Sequence, residues 1–267
     1  MRQGCFDLSR LKICPLKSSS KGNATLITNE NTKILVDCGI SGKTLCESLE
    51  KIGIRAAELD AILITHEHTD HTKGVGIASR KYNLPIYLNA LTWNFAKSQI
   101  GRIEEKNLNI FETGDEFYIN DIKVKSFHTP HDAAESVGFV FEDSSGRAAV
   151  ATDMGFVTDE VLSVICGCDA VLIEANYDLN MLEIGSYPYE LKQRIKGNRG
   201  HLCNDDSGAL AKILAESGVK EIILGHLSEE NNFPLLALKT VESFFTKENA
   251  PRLAVVGKDG EVIKGTV

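Results

Sequence analysis

The sequence predicts an α/β fold in which sheets are covered by helices, a layered α/β sandwich. Three observations carry this expectation: short β-branched runs alternate with helical patterns, the alternation repeats in two halves, and polar groups recur at the ends of the runs. In chain order, strands are expected at 33–36 and 61–64, with helical patterns at 43–52 and 74–82. Strands follow at 122–124, 137–141 and 147–151, where Glu142-Asp143-Ser144-Ser145-Gly146 reads as a hairpin turn. A helix at 159–165 and a strand at 170–173 come next. The helix at 205–216 opens on Asp205-Asp206-Ser207, an N-cap with an acidic first turn. A strand at 221–224, a helix at 235–245 and a strand at 253–256 complete the pattern. The whole chain, 1–267, reads as one domain whose two halves meet near 140–150.

Composition excludes several classes. Hydrophobic content of 43% and charge of 25% are ordinary for a globular protein. No apolar run reaches membrane-span length, and Met1 to Asp7 has no apolar signal core, so a cytoplasmic protein is expected. The seven cysteines, among them Cys38, Cys46, Cys166, Cys168 and Cys203, have no framework spacing and suggest reduced thiols. A net charge of −8 argues against binding through a broadly basic surface. It leaves a nuclease open, because a metal site brings its own positive charge. One stretch breaks the acidic trend: Lys192, Arg194, Lys196 and Arg199.

The chemistry concentrates in His66-Glu67-His68-Thr69-Asp70-His71, directly after the apolar run 61–64, where three of the seven histidines fall. Imidazole and carboxylate together suit zinc, iron or manganese. A tight turn there can aim His66 and His68 at one ion, and Asp70 and His71 at a second. Paired metals about 3.5–4 Å apart are a usual device for phosphoester hydrolysis. Other polar groups also follow strands: Asp37, His128 and His131, Asp153, Glu174 and His226. Strand ends are where α/β sheets assemble sites. Trp93 and Phe95 sit in a helix-like stretch and are expected in the core.

With Pro130-His131-Asp132, Ala151-Thr152-Asp153-Met154-Gly155 and Leu224-Gly225-His226, the chain resembles the metallo-β-lactamase superfamily over nearly its whole length. The resemblance implies a four-layer αββα sandwich and two divalent metal ions per chain (Zn, Mn or Fe). It places His66, His68 and His131 on one ion, Asp70, His71 and His226 on the other, and Asp153 between them. Asp37 is expected to fix a ligand histidine from behind. Ile173-Glu174-Ala175-Asn176 and Gly200-His201-Leu202 resemble the glutamate and histidine of the nucleic-acid-processing branch. Asp70, His201 and Glu174 are therefore the candidate catalytic residues. The short spans from His131 to Asp153 and from Glu174 to His201 leave no room for the large insertions of other nuclease branches.

Within the superfamily the chain is similar to the WalJ, VicX or YycJ group. The similar segments are Ser18-Ser19-Ser20-Lys21-Gly22-Asn23-Ala24-Thr25, Asn198-Arg199-Gly200-His201-Leu202-Cys203-Asn204-Asp205, and Gly225 to Asn232. Lys17 and Cys203 depart from the group's pattern. The resemblance implies a 5′-to-3′ exonuclease of double-stranded DNA that works through a metal-bridging hydroxide. Ser19, Ser20, Asn23, Arg199 and Asn204 are the candidate phosphate-binding residues, and the basic stretch from Lys192 to Arg199 would follow a nucleic-acid backbone. Tyr187 and Tyr189 precede that stretch and offer rings for base stacking. Two other readings are a hydrolase of small esters, lactones, thioesters or cyclic phosphodiesters, and a metal-retaining regulatory partner of a two-component system.

Overall fold

Two β-sheets stack face to face, and helices cover both outer faces. The computed structural model describes residues 11–266. The first sheet runs in chain order through β1 (Lys12–Ser19), β2 (Gly22–Thr28), β3 (Lys33–Val36), β4 (Ala61–Leu63), β5 (Ile86–Asn89) and β6 (Leu108–Phe111). Its first three strands are antiparallel, and β3 to β6 are parallel. Its crossings carry α1 (Gly42–Lys51), α2 (Thr69–Thr72), α3 (Val75–Tyr82) and α4 (Ala90–Ile100). The second sheet begins with the antiparallel strands β7 (Glu116–Ile119), β8 (Ile122–His128), β9 (Val137–Asp143) and β10 (Gly146–Ala151). The strands β11 (Ala170–Glu174), β12 (Glu221–Gly225) and β13 (Arg252–Val256) continue parallel to β10, and β14 (Val262–Lys264) closes the edge. Between them lie α5 (Asp159–Ile165), α6 (Leu179–Ile184), α7 (Tyr189–Lys196), α8 (Asn204–Glu216) and α9 (Pro234–Glu242).

Side-chain alternation builds the layers. Ile34, Val36, Ala61 and Leu63 point between the sheets and meet Phe139, Phe141, Val150, Leu172 and Ile223. Their neighbours Leu35 and Ile62 face outward onto Leu45 and Leu49 of α1 and Ala78 of α3. In the second sheet Val171, Ile173, Ile222 and Leu224 face outward under Val161, Leu210, Leu214 and Val241. Strands buried on both faces read as unbroken apolar runs, which is why those runs are visible in the sequence.

Several expectations are corrected. The chain passes from one sheet to the other between Phe111 and Glu116, not near 140–150. The strands on either side of the passage are short and partly exposed, with little pattern to read. Helix α8 starts at Asn204, and Cys203 caps it in place of the expected aspartates: its Sγ accepts the Asp206 N–H at 3.4 Å. Phe95 is exposed on α4, while Trp93 is half-buried. Cys38, Cys46, Cys166, Cys168 and Cys203 are free thiols, whereas Cys14 is disulfide-bonded, so the expectation of reduced thiols fails there. No helix among the described residues is long and apolar enough to cross a membrane.

Phe139 is fully buried where the sheets meet. Phe139→Ala is expected to cost about 3–5 kcal/mol of stability. Denaturant unfolding of the variant checks this, and a loss under ~1 kcal/mol would contradict the packing described.

Candidate metal centre

The C-terminal ends of the parallel strands converge at one edge of the sandwich, and the backbone there is unusual. Asp37 follows β3, Asp153 lies just beyond β10, and His226 follows β12, each with left-handed φ (60°, 58° and 53°). The other described non-glycine residues with positive φ are Asn83 and Asn120, a residue type that tolerates this region. Such a conformation costs on the order of 1–3 kcal/mol per residue and persists where the surroundings over-determine it. Here it turns each side chain abruptly off its strand and toward the others.

The histidine-rich loop is strapped from behind. After β4, His66 is buried, His68 occupies the N-cap position of the one-turn helix α2, and Asp70 and His71 lie within that helix. Cys38 N–H donates to the His71 carbonyl at 2.8 Å, and Gly74 N–H donates to the Cys38 carbonyl at 2.7 Å. A Cβ on Gly39 would lie 1.5 Å from the Asp70 carbonyl oxygen. Only glycine permits this close approach.

Two triads of donor atoms result, His66 with His68 and His131, and Asp70 with His71 and His226, each with its atoms within 4.8 Å of one another. Asp153 stands between them, with Oδ2 at 3.6 Å from His71 Nε2, and Oδ1 at 3.4 Å from His226 Nε2 and 3.8 Å from His131 Nε2. Asp70 Oδ2 is 3.3 Å from His71 Nε2 and 3.7 Å from His226 Nε2. Nε2 of His66, His131 and His226 and Oδ2 of Asp153 are buried without a hydrogen-bond partner. Orphaned buried polar atoms are rare. Four aimed at one space form a donor set that fits a divalent cation.

Supporting hydrogen bonds select the tautomer. Asp37 accepts the Thr65 N–H and the Thr65 hydroxyl, both at 2.9 Å, and His71 Nδ1–H at 2.8 Å. The Thr65 hydroxyl oxygen lies 3.0 Å from His66 Nδ1, and the Gly200 carbonyl accepts His131 Nδ1–H at 3.0 Å. With their protons on Nδ1, these rings present Nε2 to the shared space. Asn23 adds its side-chain amide, donating to Asp70 Oδ2 at 3.2 Å. Ser18 Oγ accepts the His226 N–H at 2.7 Å.

Electrostatics follow from burial and from the carboxylates. Burial pushes His66 well below its ordinary pKa and lowers His131 to about 4, so both rings are neutral. For His71 and His226 burial acts the same way, but Asp153 and its neighbours outweigh it. His71 is held well above its usual value and His226 is raised to about 10. Burial works against the charge on Asp153, yet the surrounding histidines keep its carboxyl well below the usual range.

Beside the triads, His201 Nδ1 is 3.0 Å from Glu174 Oε2. Glu174 is fully buried, and its Oε1 accepts the Met154 N–H at 2.6 Å. Burial opposes its ionisation, but His201 and His226 outweigh burial and lower its pKa. His201 is partly exposed, and one of its ring nitrogens lies within 4.8 Å of the donor atoms of His131 and Asp153.

The candidate phosphate-binding residues separate. Ser20 is exposed, whereas Ser19 is buried and donates to Glu229 Oε1 at 3.3 Å. Asn23 points inward to Asp70 and His71. Asn204 is fully buried in a reciprocal amide pair with Asn232, out of reach of any phosphate. Arg199 donates to the carbonyls of His131 and Ala133 at 3.0 and 3.2 Å, so its guanidinium secures the His131 loop. His128 is exposed at the end of β8, outside the donor groups. Tyr187 packs against a small buried cluster, and Tyr189 is exposed. The sequence reading misses Thr65, Asn176 and Gly39. Only Thr65 carries a signal, a hydroxyl next to a candidate ligand. Asn176 donates to the His226 carbonyl at 2.8 Å.

Comparison with known proteins places this geometry. The family described as beta-lactamase superfamily domain matches residues 32–227. The exodeoxyribonuclease YycJ of Bacillus anthracis is 40% identical over 227 residues, covering 85% of this chain and 86% of that protein. The exodeoxyribonuclease WalJ of Streptococcus pneumoniae is 39% identical over 228 residues, covering 85% of each. Among solved structures, the metallo-β-lactamase fold protein YhfI of Bacillus subtilis aligns with a TM-score of 0.72 at 19% identity, over 96% of this chain and 100% of that one.

Asp37→Ala is expected to weaken divalent-metal binding 10–100-fold and to lower stability measurably. Titration of chelator-stripped protein with Mn²⁺ or Zn²⁺ checks this, and an unchanged affinity would contradict the orienting role.

Proposed function

Because this chain belongs to the metallo-β-lactamase superfamily and is a metal-dependent hydrolase of its YycJ and WalJ group, we propose that it is a phosphodiesterase degrading double-stranded DNA from the 5′ end, with two divalent ions at its centre. The observation that carries this reading is the Glu174–His201 pair set beside the two donor triads. In the proposal His66, His68 and His131 would hold one ion, Asp70, His71 and His226 would hold the other, and Asp153 would be available to both. Bound there, such ions would supply a water that ionises near neutral pH and would take up negative charge on the phosphate.

The chain's own residues do the rest. Asp37, Thr65 and the Gly200 carbonyl hold the ligand rings in one tautomer. His201 offers Nε2 to the leaving oxygen. Its imidazolium form donates a proton there, while Glu174 stabilises the ring's charge through Nδ1. The left-handed turns at Asp153 and His226 keep both donors in place without rearrangement during the reaction. Asp70 acts as a ligand, and Asn23 keeps its carboxylate oriented.

Digestion of a duplex labelled at either the 5′ or the 3′ terminus, with Mn²⁺ present, tests the reading. Label is expected to leave the 5′ end first. His201→Ala is expected to lower kcat by 10²–10⁴-fold without changing metal affinity. A variant as active as the wild type would contradict the proton-donor role. Failure to digest DNA, with turnover of small esters or thioesters, would shift the assignment to a small-molecule hydrolase.

A further inference from the structure

The basic stretch that the sequence singles out is largely committed internally. Lys192 Nζ donates to the Glu183 carbonyl at 2.7 Å. Lys196 pairs with Glu183, Arg194 pairs with Asp132, and Arg199 binds backbone carbonyls. Arg194 and Lys196 are thus held by carboxylates, and a cation so held releases few counterions when a phosphate arrives, while Lys192 and Arg199 are tied to backbone carbonyls.

A different surface has the right chemistry. A groove of about 510 Å³ is lined by Lys17, Lys21, Lys73 and Lys258, with Glu229 and Asp259 as its acids. Four lysines against two carboxylates make it locally basic on a chain of net charge −8. Lys17 pairs with Asp259 and Lys21 with Glu229. Lys73 and Lys258 are exposed, and Lys258 lies close enough to Glu229 and Asp259 to help hold both carboxyls below their ordinary pKa.

The groove's walls are the outer sides of the segments that hold the second triad. Lys73 follows α2, which carries Asp70 and His71. Gly39 lies against the Asp70 carbonyl. Ser19 and Gly22 belong to the hairpin whose Ser18 and Asn23 reach His226 and Asp70. The first turn of α1, at Ser41 and Thr44, borders the same groove. A neighbouring recess of about 240 Å³ shares Lys258 and Glu229 with it, adds the carboxylate of Glu261, and is walled by Leu227, Pro234 and Phe233, the last half-exposed. Lysines lining a groove beside an exposed aromatic ring are the chemistry that suits a nucleic-acid strand.

We propose that this groove carries the sugar–phosphate backbone of the DNA strand leading into the metal centre, with one base against Phe233. The proposal rests on the nuclease reading and moves the backbone path from the Lys192 stretch to the groove beside Lys73.

The test measures kcat/KM for duplex digestion across a salt series, with hydrolysis of bis(p-nitrophenyl) phosphate in parallel. Lys73→Glu/Lys258→Glu is expected to lower kcat/KM on DNA at least ~10-fold and to flatten its dependence on log salt by about two. Phe233→Ala is expected to lower it roughly 10-fold. Turnover of the small diester should stay unchanged in both, which also reports an intact fold. Lys192→Glu/Lys196→Glu is expected to digest DNA nearly as the wild type does. Wild-type digestion by the Lys73→Glu/Lys258→Glu protein, or a loss confined to the Lys192→Glu/Lys196→Glu protein, would overturn the groove. A wild type that cleaves the small diester but not DNA would overturn the groove and leave the phosphodiesterase chemistry standing. One that cleaves neither would remove both.

Discussion

The carboxylate of Asp37 is the constraint on which the rest of the centre depends. It sits where β3 ends, in a left-handed conformation, and accepts three hydrogen bonds: two from Thr65 beyond β4, and one from His71 in α2. Through the Thr65 hydroxyl it also reaches His66. One buried group therefore fixes the spacing of two strand ends and orients one ring in each donor triad. Replacing it would leave a buried backbone N–H, a hydroxyl and a ring N–H unpaired together, and each such loss costs about 1–3 kcal/mol.

The arrangement concentrates unfavourable features in one place. Left-handed backbone, orphaned Nε2 atoms and a buried carboxylate all lie at the open edge of the sandwich. The apolar layers on both sides of each sheet provide the burial that outweighs this local cost. The balance also explains why the donors are preorganised. Packing and hydrogen bonding hold them in position through Gly39, Gly200 and Ser18, with no loop closure required to bring them together. A divalent cation would satisfy the orphaned atoms, so binding and folding stability are coupled at this edge.

Much of this is legible in the sequence, for definite reasons. Histidine and aspartate are scarce inside a core, so their repeated appearance directly after apolar runs marks Asp37, His66, Asp153 and His226 before any coordinates exist. Glu174 stands out as a charge ending a strand that is buried on both faces. What stays hidden depends on partners far away in sequence. Nothing near Asn204 reveals that Asn232 will bury it, and nothing near Lys196 reveals that Glu183 will neutralise it. The lysines of the groove come from three separate segments, the β1–β2 hairpin, the end of α2 and the turn after β13, so the sequence does not mark them as one surface. The change of sheet at 112–115 is hidden because the flanking strands are short and half-exposed.

The central claim is that the two triads hold two ions with Asp153 between them. The most direct test is a crystal structure of the protein soaked in Mn²⁺, with anomalous difference density collected at a manganese-sensitive wavelength. The account predicts two peaks about 3.5–4 Å apart, one among His66, His68 and His131, the other among Asp70, His71 and His226. A single peak, or density away from Asp153, would contradict it.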